Sequence, residues 1–170
     1  MDWTSIRREA ACCFTGHRPD KLPGGYAMNE ALLAPLRQRL RRAIQEAVDT
    51  GYRDFLCGMA LGADTLAAQE VLALRDVQPE LRLIAAIPCP DQAKRWKPQD
   101  QRRYRDLLDR ADGCYTACPS YTPYAMGARN LWMVEHASRI IAVTDGSPGG
   151  TANTLRMAED RRLTIVRIVP

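Results

Sequence analysis

The chain has 170 residues, 46% hydrophobic and 26% charged, with a formal net charge of +4 and a pI near 8.8. That size and composition suit one globular domain over residues 1–170 with its own core. They exclude a disordered or collagen-like chain, and no apolar run is long enough to span a bilayer. The basic residues are dispersed, so the charge permits an anionic partner without demanding one.

The first residues, Met1-Asp2-Trp3-Thr4-Ser5-Ile6-Arg7-Arg8, contain no apolar segment with a cleavage site, and a cytoplasmic location is expected. Residues 10–14 form a short apolar run, expected as the first strand, stopped by Thr15-Gly16-His17-Arg18-Pro19 and a turn-rich loop to Gly25. Between residues 32 and 50, Leu32, Leu36, Leu40, Ala43, Ala47 and Val48 recur at helical spacing, and Gly51 closes the segment. Pro35 belongs in a first turn, which moves the expected start to about Ala34. The arginines between, Arg37, Arg41 and Arg42, read as a solvated face.

Residues 53–57 are the second expected strand. They lead through Gly58-Met59-Ala60-Leu61-Gly62-Ala63-Asp64 into a helix from about Thr65 to Arg75. A third strand over 81–87 ends at Pro88-Cys89-Pro90. A polar excursion over 91–104 then precedes a helix carrying Leu107, Leu108 and Ala111. A weak strand at 114–117, a helix at 128–138, a strand at 140–143, a helix at 151–161 and a strand at 163–168 complete the order. The six cysteines (Cys12, Cys13, Cys57, Cys89, Cys114, Cys118) are scattered through apolar segments. With only His17 and His136 as imidazole partners, they read as reduced thiols and no metal site is expected.

Strands alternating with helices imply an α/β, Rossmann-like three-layer sandwich, a mostly parallel sheet with helices on both faces. In that architecture every loop after a strand lies on one edge, where ligands bind. The loops at Gly16, at 58–64, at 126–130 and at 146–151 should therefore converge. The last, Asp145-Gly146-Ser147-Pro148-Gly149-Gly150-Thr151, joins a strand to a helix. Taken alone it is either a tight turn or a phosphate cradle built on free N–H groups of a helix N-terminus.

Four ordered motifs carry a resemblance: Thr15-Gly16-His17-Arg18-Pro19; Gly58, Ala60 and Gly62-Ala63-Asp64; Arg129-Asn130; and Asp145-Gly146 with Gly149-Gly150-Thr151, Asn153 and Thr154. Together they resemble the YpsA-like family of the SLOG superfamily, over nearly the whole chain. The resemblance implies a Rossmann-like fold with a pocket for a nucleotide or nucleotide-derived ligand, and homo-oligomerisation by analogy. Two relatives in that superfamily have defined activities. LOG phosphoribohydrolases cleave the N-glycosidic bond of nucleoside monophosphates with a Pro-Gly-Gly-x-Gly-Thr-x-x-Glu turn after a helix bearing Arg-Lys. Here Asn130 stands in place of that Lys, and Thr151-Ala152-Asn153-Thr154-Leu155 supplies neither the second glycine nor the glutamate. Glycosidic cleavage needs a carboxylate against the developing oxocarbenium, so binding is expected ahead of hydrolysis. Asp64, Glu70 and Asp145 are the carboxylates that could substitute, and His17 is the candidate acid/base. DprA proteins bind single-stranded DNA and share a similar glycine loop. This chain, however, shows no concentrated basic stripe interleaved with aromatics, and nucleic acid is the less expected partner.

The expected ligand-binding set is Thr15, Gly16, His17, Arg18, Gly58, Gly62, Asp64, Arg129, Asn130, Asp145, Gly146, Gly149, Gly150, Thr151, Asn153 and Thr154. Arg18 suits a bidentate phosphate contact. Asp64 starts a helix and either caps it or binds a ribose hydroxyl, whereas Glu70 lies deeper and is expected to face solvent. Arg129 near a helix N-terminus opposes the dipole, which an anion would remedy. Asn130 either reads a base or ribose or bonds the neighbouring loop, and Thr151, Asn153 and Thr154 either bind phosphate or cap. Trp96, Tyr104, Tyr121 and Tyr124 either form a lid over a nucleobase or pack. No cofactor is required, and the ligand is held and sensed rather than necessarily turned over.

Overall fold

A computed structural model describes residues 2–170, apart from the side chain of Thr4. Six strands, β1 (Ala11–Gly16), β2 (Asp54–Cys57), β3 (Arg82–Ile87), β4 (Gly113–Thr116), β5 (Arg139–Val143) and β6 (Thr164–Ile168), form one sheet in the order β4-β3-β2-β1-β5-β6. Every pairing is parallel. Each connection is a helix: α1 (Glu30–Asp49), α2 (Ala63–Arg75), α3 (Pro98–Arg110), α4 (Ala125–Glu135) and α5 (Gly150–Asp160). The Rossmann-like three-layer fold is thus present, with a sheet that is wholly parallel.

Side chains alternate along the strands and split the core in two. Cys12 and Phe14 of β1 join Phe55, Leu83 and Ile141 under α1, α2 and α3. Ala11 and Cys13 join Leu56, Ile84 and Ile140 under α4 and α5. The four inner strands, β1, β2, β3 and β5, are buried on both faces, which explains their continuous apolar runs, whereas the edge strands β4 and β6 stay partly exposed. From β1 the chain winds outward to β4, returns through α4, and adds β5 against the other side of β1. The topological switch point therefore lies between β1 and β5, and the loops after them leave the sheet side by side.

Several local expectations are corrected. Helix α1 begins at Glu30, before the expected Ala34, because the Asn29 side chain accepts hydrogen bonds from Ala31 and Leu32 N–H at 3.0 and 3.3 Å. Pro35 consequently sits in the second turn, on an exposed stretch where water can satisfy the orphaned Ala31 carbonyl. Leu32 is exposed and Leu33 takes the core position, one residue out from the expected stripe. The polar excursion is shorter than expected, since α3 already starts at Pro98.

The arginines of α1 are not merely solvated. Arg37 and Arg41 both bind the carboxylate of Glu70, at 3.1 and 2.8 Å, and Arg37 also holds Glu30 at 2.8 Å. Glu70 is 5% exposed, so its expected solvent-facing position is corrected as well. Its charge can be buried because two guanidinium groups on the neighbouring helix compensate it.

All six cysteines are free thiols. Burial pushes the Cys12 thiol up to about 12, as befits a small core residue with no route to the thiolate. No helix among the described residues is long and apolar enough to cross a membrane.

Candidate functional site

A cleft of about 240 Å³ opens at the switch point. Its wall on one side is the end of β1, Thr15 and Gly16, with His17 and Arg18 of the loop that follows; on the other it is the turn Ser147-Pro148-Gly149-Gly150-Thr151. Asp64 of α2 and Arg129, Asn130 and Met133 of α4 reach it from below. Eleven of the residues expected from sequence therefore share one cavity: Thr15, Gly16, His17, Arg18, Asp64, Arg129, Asn130, Gly149, Gly150, Thr151 and Thr154.

The glycine turn ends in an uncapped helix. Gly149 occupies the N-cap of α5 at φ 142°, a conformation that disfavours any side chain, and supplies no capping oxygen. The first intrahelical bond is Asn153 N–H to the Gly149 carbonyl at 3.0 Å, so the N–H groups of Gly150, Thr151 and Ala152 have no helical partner. A Cβ built at Gly150 meets nothing within 4 Å. This end of the helix is open, partly positive and directed toward the cleft.

The loop after β1 is held by its neighbours on both sides. His17 N–H donates to the Val143 carbonyl at 3.0 Å, and the His17 carbonyl accepts from Ala63 N–H at 3.1 Å. The approach is close enough that a Cβ at Gly62 would lie 2.5 Å from the His17 carbonyl oxygen. A Cβ at Gly16 would collide with that of Ala63. The His17 ring, 5% exposed, places Nε2 2.7 Å from Asp145 Oδ1 and 3.0 Å from Asp145 N. His17 is thus a joint between three loops.

Asp145 itself turns away from the cleft. Its carboxyl is held well below the usual carboxylate range by Ser147, through hydroxyl and N–H, and then by His17. It is an ionised turn-former and not a proton donor at neutral pH. Gly146 lies beside it on the outer surface, and the Asn153 side chain is engaged by Arg156 at 2.6 Å outside the cleft. Gly58 and Gly62 lie behind the lining. Glu70 belongs to the α1–α2 contact with Arg37 and Arg41, away from the cleft.

At the floor, Arg129 is 3% exposed. It donates through Nη1 to the carbonyls of Gly58 and Ala86, the latter at 3.3 Å, and through Nε to Asn130 Oδ1 at 2.7 Å. Asn130 Nδ2 donates to Thr154 Oγ1 at 3.0 Å, and the Thr154 hydroxyl donates to the Gly150 carbonyl at 2.9 Å. This chain of bonds fixes the Asn130 amide and ties the buried guanidinium to the first turn of α5. Arg129 also approaches Asp64 across Gly58, where no Cβ fits between them. Burial pushes the Asp64 carboxyl upward, against Arg129, the Ala60 N–H and Arg18. Burial likewise lowers Arg129, offset by Asp64 and reinforced by the like charge of Arg18.

Two contributors escaped sequence reasoning. Lys21 reaches across the mouth to Ser147 Oγ at 2.7 Å, and Asp20 lines the same rim. Both directly follow the Thr15–Pro19 motif, in a loop whose path no periodicity reveals.

Residues 12–164 match the model of the YpsA family, described as the YspA SLOG family. The chain belongs to that family. Among its relatives, the SPbeta prophage-derived protein YoqJ of Bacillus subtilis is 30% identical over 146 residues, covering 78% of this chain and 85% of that protein. UPF0398 protein YpsA of the same organism is 24% identical over 151 residues, covering 87% and 83%. Two solved structures share the fold at 15% identity: DNA processing protein A from Helicobacter pylori, with a TM-score of 0.63, and that from Streptococcus pneumoniae, with 0.62. The chain spans 65% and 50% of their lengths, and 94% of its own length is covered in each case. For this YspA SLOG member, the segment shared with both structures is the Rossmann-like domain that carries the cleft.

Proposed function

We propose that the chain binds a nucleotide or nucleotide-derived ligand at the switch-point cleft, its phosphate seated on the N-terminus of α5. The observation that carries this reading is the uncapped α5 terminus facing the same space as Arg18, which has no carboxylate within ion-pairing distance among the described residues. An anion there would bond the free N–H groups and relieve the repulsion between Arg18 and Arg129. Thr151 and Lys21 supply further donors at the rim, and Asp20 and Asp64 are the carboxylates of the lining.

Thermal shift with AMP, ADP-ribose and NAD tests the reading, because a ligand that prefers the native state raises its midpoint. A shift in the wild type that disappears in Gly150→Asp is expected. No shift with any of the three at saturating concentration sinks it. Assaying the same mixtures for released base addresses hydrolysis separately. That enzyme reading is the weaker one, since Glu70 and Asp145 lie off the cleft and Asp64 is buried beside Arg129.

A second reading draws on the Helicobacter pylori protein, whose structure concerns single-stranded DNA binding. Lys94 and Arg95 beside Trp96 and Tyr121 are the feature here that favours it.

A further inference from the structure

Beside the phosphate cradle lies a second cleft of about 470 Å³, and the two share Arg18 and Met126 on their linings. Their chemistry differs. The first offers helix N–H groups, hydroxyls and cations, and its one aromatic side chain is Phe14, a buried residue of β1. The second is lined by Trp96 and Tyr121 together with Lys94 and Arg95, with Asp91 as its only carboxylate. Asp91 sits 3.9 Å from Lys94, which leaves Arg95 without a carboxylate partner among the described residues.

The second cleft is braced rather than loose. Trp96 packs edge-on against Tyr104, ring centroids 5.2 Å apart at 77°. The Tyr104 hydroxyl donates to Gln92 Oε1 at 3.4 Å, and Gln92 Nε2 donates to the Gly58 carbonyl at 3.1 Å. That carbonyl also accepts from Arg129 Nη1, the floor of the first cleft. One backbone oxygen thus ties the wall of one cleft to the floor of the other. Their relative placement is built into the fold, as a ligand spanning both would need.

We propose that the second cleft is a subsite for the distal ring of a pyrophosphate-linked ligand, a dinucleotide or a nucleoside diphosphate sugar, with Arg18 at the joint beside the diphosphate. The proposal rests on the phosphate cradle described above. One phosphate satisfies the α5 terminus; Arg18 and Arg95 then call for further negative charge beyond it, and the rings of Trp96 and Tyr121 call for a planar group.

Isothermal titration of the full chain with AMP and with ADP-ribose tests this, with a set of oligothymidylates of increasing length as the third probe. ADP-ribose should bind about tenfold or more tightly than AMP. The advantage should shrink to within about threefold in Tyr121→Ala and Arg95→Ala, two exposed positions whose melting midpoints report intact folding. Equal affinity of the wild type for AMP and ADP-ribose overturns the second subsite and leaves the cradle standing. So does an ADP-ribose advantage that survives both substitutions. Binding of neither nucleotide overturns cradle and subsite together. Affinity for oligothymidylate that exceeds that for ADP-ribose and rises with length would instead make the paired clefts a strand-binding groove.

Discussion

Arg18 and Arg129 present two guanidinium groups to one cleft, close enough that Arg18 disfavours the charge on the buried Arg129, and no carboxylate lies within ion-pairing distance of either among the described residues. Arg129 is held by carbonyls and Asn130, whereas Arg18 has no side-chain partner among the described residues. Arg18→Ala should therefore weaken nucleotide binding by about 1.5–3 kcal/mol, the worth of a charge-assisted bond, while leaving the apoprotein midpoint unchanged or slightly raised. Titration calorimetry and melting of the same variant check both halves.

Gly150→Asp separates binding from folding. Its Cβ enters open space, and a carboxylate in the first turn of α5 interacts favourably with the helix dipole by about 0.3–1 kcal/mol. The variant should melt at or above the wild-type temperature and lose its response to nucleotide, because its own carboxylate occupies the anion position. A variant that still responds equally places the ligand elsewhere.

Gly16→Ala should behave in the opposite way. The added methyl would overlap Ala63 Cβ and crowd Val143 Cβ at 3.0 Å, where β1, β5 and the start of α2 meet. A loss of about 1–3 kcal/mol in chemical denaturation is expected.

Glu70→Ala should cost about 3 kcal/mol by stripping Arg37 and Arg41 of their shared, buried partner. Nucleotide affinity, and any release of base, should stay at the wild-type level when measured well below the melting temperature. A selective loss of base release without loss of stability would return Glu70 to the chemistry.

The Asp145 carboxyl carries a pH dependence whose sign follows from its lowered folded-state value. Its contribution is fully present above the unfolded carboxylate value of about 3.9 and is lost as pH falls through the folded one. Asp145→Asn should thus be less stable than wild type at pH 7, and the gap should close in strong acid. Denaturation midpoints followed from pH 7 downward test this; a gap that stays constant would mean that the turn does not depend on the charge.

Much of the candidate site was legible because its residues answer demands of the backbone that show in the sequence. Glycine at positions 16, 62 and 149 answers close approach or positive φ, and such demands recur in strand-to-helix turns wherever they occur. Asp145, Gly146 and Asn153 adjoin the motif of the cleft in sequence but do not line it. Their side chains or surfaces turn outward, since a turn and a helix start send neighbouring residues in different directions. The burial of Glu70 is hidden in the sequence for a related reason: helical position alone does not reveal that Arg37 and Arg41 cover it from α1.

The sequence by itself determined the alternation of strands and helices, hence the parallel sheet, the shared edge for the loops and the candidate cradle, because periodicity and glycine placement are local properties. Only the tertiary structure decided that Lys21 meets Ser147, that Arg129 is tied through Asn130 and Thr154 to α5, and that a second cleft with Arg95 and Tyr121 joins the first at Arg18. These depend on which strands lie adjacent at the switch point and on which side chains then meet across loops distant in sequence, and no local pattern encodes that meeting.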